Sequence, residues 1–161
     1  MLRKSFNAAL ILLAAIFAFM LSVAALAQVA QQTSDVTQVT DPVFHSYKGI
    51  TIDMTINDVH QKLGTPKETS GGQDFYQLSE KEAFQIFYKN NEKVKAIVVT
   101  FIGEGSGAPD CKTVLGTNET PTADGSIYKV VRYPKAGYWV SYNRTGGDAP
   151  MVVVTMQKLT P

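Results

Sequence analysis

One cysteine, two histidines and a glycine-rich pentapeptide carry the most obvious chemistry in this chain. Cys111 stands near a helix start, where the helix dipole lowers a thiol pKa, and with His60 as base and an aspartate to orient it the three would make a nucleophilic triad. His45 and His60 are of the type that holds zinc. Gly103-Glu104-Gly105-Ser106-Gly107, between a strand and a helix, has the glycine content of a phosphate-cradling loop. Asn118-Glu119-Thr120 and Asn143-Arg144-Thr145 fit the glycan-acceptor pattern, which is short and often accidental. A different kind of chemistry lies in Phe87, Tyr128, Arg132 and Trp139, residue types that dominate protein-contact energies.

Which of these can act depends on the elements that position them. The run TINDVHQKLGTP from Thr55 predicts a short amphipathic helix, with Thr55 as cap, Ile56, Val59 and Leu63 on one face, Gly64 at the end and Pro66 preventing continuation. Shifted by 52 residues, Gly107 to Thr117 overlays Thr55 to Thr65, with Asp110 on Asp58, Pro109 in a first-turn position and Leu115-Gly116-Thr117 on Leu63-Gly64-Thr65. Phe84, Ile86 and Tyr88 overlay Tyr138, Val140 and Tyr142 at an offset of 54, and IVVTF overlays VVVTM at 55. Asn90-Asn91, Pro134 to Gly137 and Gly146-Gly147-Asp148 read as turns. The expected fold is α+β: two αβββ repeats, residues 44–102 and 107–161, with short helices on one face of a roughly six-stranded antiparallel sheet.

Set on those elements, the catalytic readings weaken. Cys111 overlays Val59, a core position, and His60 overlays Lys112, a solvated one. The glycine loop falls where the two copies join, and Glu104 would repel phosphate. No catalytic, cofactor or metal site is expected. Alternation turns Phe84, Ile86, Tyr88 and Tyr138, Val140, Tyr142 toward the helices, while Phe87 and Trp139 take the opposite, open face together with Tyr128 and Arg132. That face is the candidate for protein binding, unless the leader, the 117–126 loop or a second copy of the domain covers it.

At the start of the chain two cations precede the uncharged run Ala8 to Ala27, which ends Ala25-Leu26-Ala27 as a signal peptidase requires. Residues 1–27 read as a signal peptide, or as an uncleaved anchor, since twenty apolar residues also span a bilayer. Residues 28–43 read as a flexible leader to a single domain over 44–161. The expected location is periplasmic or secreted, the alternative an inner-membrane tether through residues 8–27. Without Arg3 and Lys4 the chain has 13 basic and 14 acidic residues, interleaved, which excludes a nucleic-acid binder. A single cysteine excludes an internal disulfide.

Residues 49–66, GITIDMTINDVHQKLGTP, resemble the opening motif of the SmpA/OmlA (BamE-like) family of small envelope proteins, in Met54, Thr55, Val59, Leu63, Gly64 and Pro66. Asp53 stands where that family has glycine. The two-copy arrangement is similar to that of β-lactamase inhibitor proteins. The resemblance implies scaffolding or inhibition through protein contact and brings no catalytic residues. The expected function is thus an exported, non-catalytic binding or scaffolding module whose partner is an envelope or secreted protein. The alternatives are an inhibitor of a secreted hydrolase and a protein holding a small apolar ligand between sheet and helices.

Overall fold

The structure, a computed structural model, describes residues 41–160. Residues 1–40, with the segment read as signal or anchor and nearly all of the leader, lie outside the described residues. Among the described residues no helix is long and apolar enough to cross a membrane.

Helix α1, Ile56–Leu63, begins where Thr55 Oγ1 accepts the Asp58 N–H at 3.2 Å and donates to the Asp58 carboxylate at 2.7 Å. It ends at Gly64, whose φ of 78° suits a residue without a β-carbon and lets its N–H close on the His60 carbonyl at 2.8 Å. Strands β1 (Glu68–Ser70), β2 (Gln73–Ser79), β3 (Glu82–Lys89) and β4 (Lys93–Ile102) follow as an antiparallel meander. Asn90 and Asn91 both take positive φ in the β3–β4 turn, as a tight hairpin demands. Helix α2, Cys111–Leu115, is capped by the Asp110 carboxylate, which accepts the Thr113 N–H at 2.7 Å. Strands β5 (Ile127–Tyr133), β6 (Tyr138–Arg144) and β7 (Met151–Lys158) complete one seven-stranded sheet in the order β1-β2-β3-β4-β7-β6-β5.

This corrects the expected architecture. The chain is mostly one seven-stranded antiparallel sheet with two small helices, and not two αβββ repeats beneath a helical layer over six strands. Pro109 and Asp110 delay the second helix to Cys111 and Gly116 stops it after five residues, so it is too short to form a layer. Glu68–Ser70, which has no apolar residue, pairs with β2 as an additional edge strand. The two valine-rich runs are alike because both are central strands in the same environment: β4 and β7 lie side by side, with Val99 opposite Val154.

What closes the core face is largely a strap of irregular chain, residues 44–54. It is stitched to β4 by Asp53 N–H to the Val94 carbonyl and Val94 N–H to the Met54 carbonyl, both at 2.9 Å. Tyr47 lies edge-on to Phe84 at 5.2 Å between ring centres and donates its hydroxyl to Glu82. Burial and that carboxylate push the Tyr47 phenol far above its ordinary range. Beneath the strap and helices, Phe84, Ile86, Ile97, Val99, Val140 and Met156 are fully buried.

Tyr133 is 1% exposed, and its hydroxyl has no hydrogen-bond partner among the described residues. An orphaned buried hydroxyl costs more than it returns. Tyr133→Phe is therefore expected to hold or raise stability, by about 0–1 kcal/mol, in a thermal melt. A clear loss of stability would mean that the hydroxyl has a partner.

Candidate functional site: the open face of the sheet

The register sorts the face opposite the strap into rows that cross the strands. Phe87 stands opposite Ala96, Ala96 opposite Gln157, Gln157 opposite Trp139 and Trp139 opposite Arg132. Three of the four residues expected to recognise a partner thus lie in one row. Arg132 and Trp139 are direct neighbours, whereas Phe87 is three strand steps from Trp139, about 14 Å at the usual strand spacing. Tyr128 sits outside that row, opposite Asn143 and 70% exposed. The four share a face without forming one cluster. Phe87 and Trp139 are half-buried by their neighbours, and Arg132 is exposed.

The middle of the face is hollow. Ala96 and Val98, short side chains at the centre of the sheet, lie between the larger Phe87 and Leu159, leaving a depression of about 460 Å³. Lys89, Lys95 and Lys158 stand at its rim. The register shift between Phe87 and Tyr88 inserts Lys95 as an extra residue on β4, which brings it there. Lys158 is held by the Asp53 carboxylate, with Nζ 2.6 Å from Oδ2, while Lys89 and Lys95 have no carboxylate at ion-pair distance among the described residues. An apolar floor with two unneutralised ammonium groups suits an apolar group that carries, or stands beside, a negative charge. The space between sheet and helices, where the alternative reading set a small ligand, holds the buried side chains of the core.

No protein-family model matches the chain, and no curated protein does. One solved structure is similar. It is the crystal structure of a DUF4309 family protein (YjgB) from Bacillus subtilis subsp. subtilis str. 168, with 16% identity over 71% of this chain and 86% of that one and a TM-score of 0.46. A likeness of that degree contributes nothing to the reading of the site.

Away from the open face, a polar cluster passed unnoticed in the sequence. Asp74 is fully buried. Its Oδ2 lies 2.7 Å from His60 Nε2 and accepts the Tyr88 hydroxyl at 2.7 Å, and its Oδ1 accepts the Thr69 hydroxyl at 2.7 Å. His60 is not the solvated residue that its overlay on Lys112 implied; it is half-exposed and anchored to this carboxylate. Burial alone pushes the Asp74 carboxyl up, but the hydrogen bonds from Thr69, Tyr88 and His60 outweigh it and hold the group below the ordinary carboxylate range. The same carboxylate adds to burial in pushing Tyr76 up to about 12. A carboxylate and an imidazole can serve a nucleophile, but Cys111 is not placed for them: it packs in α2 beside Tyr142 and Arg144, in the other half of the sheet. Burial and Glu119 push its thiol up, opposite to what activation needs.

The loop Gly103 to Gly107 is equally committed to structure. Its Gly103 N–H is spent on the Pro150 carbonyl at 2.9 Å, and Lys81 donates to the Glu104 carbonyl at 2.6 Å. Among the described residues His45 bonds only to the Val43 carbonyl two residues before it, and no group of three metal-ligating side chains occurs.

Proposed function

We propose that this chain is an exported, non-catalytic binding or scaffolding module that holds an envelope or secreted protein against the open face of its sheet. The observation that carries this reading is the apolar depression on that face, floored by Ala96 and Val98, walled by Phe87 and rimmed by Lys89 and Lys95. A partner that inserts an apolar side chain beside an acidic one satisfies both features. Trp139 and Arg132, further along the same row, supply the large rigid contact and the charged fork that recur at interface hot spots. The SmpA/OmlA likeness of residues 49–66 supports the same direction. The likeness to β-lactamase inhibitor proteins rested on two repeats and falls with them, so hydrolase inhibition has no separate support. Location outside the cytoplasm rests on the pattern of residues 1–27.

A second reading follows from the size of the depression, since about 460 Å³ is within the range of small-molecule sites. Its ligand would be an apolar molecule with an anionic end. One experiment separates the two. The full chain, Trp139→Ala and Phe87→Ala are used as crosslinking baits in the native envelope, and native mass spectrometry is run on the same preparations. The proposal expects one protein partner whose capture falls about tenfold or more in either variant, with melting unchanged. A bound small mass lost in Phe87→Ala, with no protein captured, would select the second reading, and equal capture by all three baits would remove recognition from this face.

A further inference from the structure

The two edges of the sheet are built differently. At one end β1 is three residues long, entirely polar and exposed, which is how sheets blunt an edge against pairing. At the other end β5 runs for seven residues with no proline and an unbroken register against β6. Its lysine is neutralised, because Lys129 Nζ lies 2.7 Å from the Glu119 carboxylate on the core side of the sheet.

The direction of each backbone group on β5 follows from the bonds at the two ends of β6. Leu159 N–H donates to the Gly137 carbonyl at 2.8 Å, and Thr145 N–H to the Met151 carbonyl at 2.9 Å. These bonds fall just outside the pairs Tyr138–Lys158 and Arg144–Val152, so Tyr138, Val140, Tyr142 and Arg144 turn their own N–H and C=O groups toward β5. Their partners Tyr133, Val131, Lys129 and Ile127 are thereby satisfied. Tyr128, Val130 and Arg132 point theirs away from the sheet, and none of the three takes part in a backbone hydrogen bond to a loop or turn among the described residues. Three donors and three acceptors are left along a straight, accessible strand.

We propose that β5 pairs antiparallel with β5 of a second copy of this chain, about a two-fold axis through Val130. Only even sums of residue numbers keep the open faces of both copies on one side, and three registers around the strand centre meet that condition. Centring on Lys129 pairs only Ile127 to Val131 within the strand, and centring on Val131 brings Pro134 into the ladder. Centring on Val130 pairs all seven residues. It places Tyr128 opposite Arg132 of the second copy twice over, a cation-on-aromatic pairing, and it joins the six outward groups of each copy in six hydrogen bonds. The result is one fourteen-stranded sheet with a continuous open face.

The test uses protein produced by expressing residues 1–161. Two Val130 positions in a hydrogen-bonded antiparallel pair have Cα atoms about 5.5 Å apart, within disulfide range. Val130→Cys is therefore expected to give a covalent dimer on mild oxidation, whereas Asn143→Cys, exposed on the next strand, and the wild type with its buried Cys111 are not. Sedimentation of the wild type from micromolar to hundreds of micromolar should show a species of twice the monomer mass that Val130→Lys abolishes, because two lysines then face each other on the axis. A wild type that stays monomeric throughout, a dimer that survives Val130→Lys, or a Val130→Cys chain that crosslinks no better than Asn143→Cys each overturns the proposal.

Discussion

Asp74→Ala is expected to destabilise the protein by about 3–5 kcal/mol, a fall in melting temperature on the order of 10–20 °C. The carboxylate is wholly removed from solvent and holds three side chains from three elements: His60 of α1, Thr69 of β1 and Tyr88 of β3. Truncation leaves the Tyr88 hydroxyl buried without an acceptor and frees both the helix and the edge strand from β2. Asp74→Asn keeps the volume and part of the bonding and should cost less. Because the folded carboxyl is held below its ordinary value, the stability it contributes is complete above the unfolded pKa of about 3.9 and is withdrawn as pH falls through the lower folded value. Urea titrations at pH 7, 5, 4 and 3 should show a constant gap between wild type and Asp74→Asn at the two higher values and a narrowing gap below. A gap that stays constant to pH 3 would mean that folding does not lower this carboxyl's pKa, and a gap that widens as pH falls would mean that the group is neutral in the native cluster.

The second large effect lies on β3. Phe84 is fully buried between Tyr47, edge-on at 5.2 Å, and Tyr76, tilted at 6.5 Å. Phe84→Ala leaves a cavity in a sheet core that cannot collapse around it and is expected to cost about 3–5 kcal/mol. Its local consequence is more diagnostic. Tyr47 loses the ring it rests on, so the strap over residues 44–54 should become the first site of limited proteolysis under native conditions. Phe87→Ala, three residues on and on the open face, should change stability by less than about 1 kcal/mol and leave the strap protected. Equal destabilisation by both would mean that the open face is packed against something in the native protein.

The features legible in the sequence were those with local causes. Thr55 and Gly64 bound a helix because capping and positive φ act within four residues, and Asn90-Asn91 mark a hairpin for the same reason. Alternation sorted Phe84, Ile86 and Tyr88 from Phe87, because a strand with one covered face repeats every second residue. Asp74 escaped since it is polar at a buried position and its partner His60 belongs to another element, fourteen residues away. The available signal was its parity with Tyr76, which places it on the core side of β2. Strand β1 escaped because Glu68, Thr69 and Ser70 owe their conformation to pairing with β2 and not to their own preference. The likeness between IVVTF and VVVTM misled for a related reason: it records that both strands are buried, and equal burial is also what two neighbours at the middle of one sheet share.

Where the chain enters and leaves the sheet has a bearing on how it can be re-engineered. Phe44 offers its carbonyl to the Tyr138 hydroxyl, and Leu159 gives its N–H to the carbonyl of the preceding residue, Gly137. Entry and exit therefore meet at the β5–β6 turn, one on each side of adjacent residues. A short connector from Leu159 to Phe44 would close the domain into a ring, and new ends cut at the exposed Gly147-Asp148 loop, at the other end of β6, would leave every strand pairing in place. The same geometry lets the domain be spliced into a surface loop of a host protein, with both junctions at one pole.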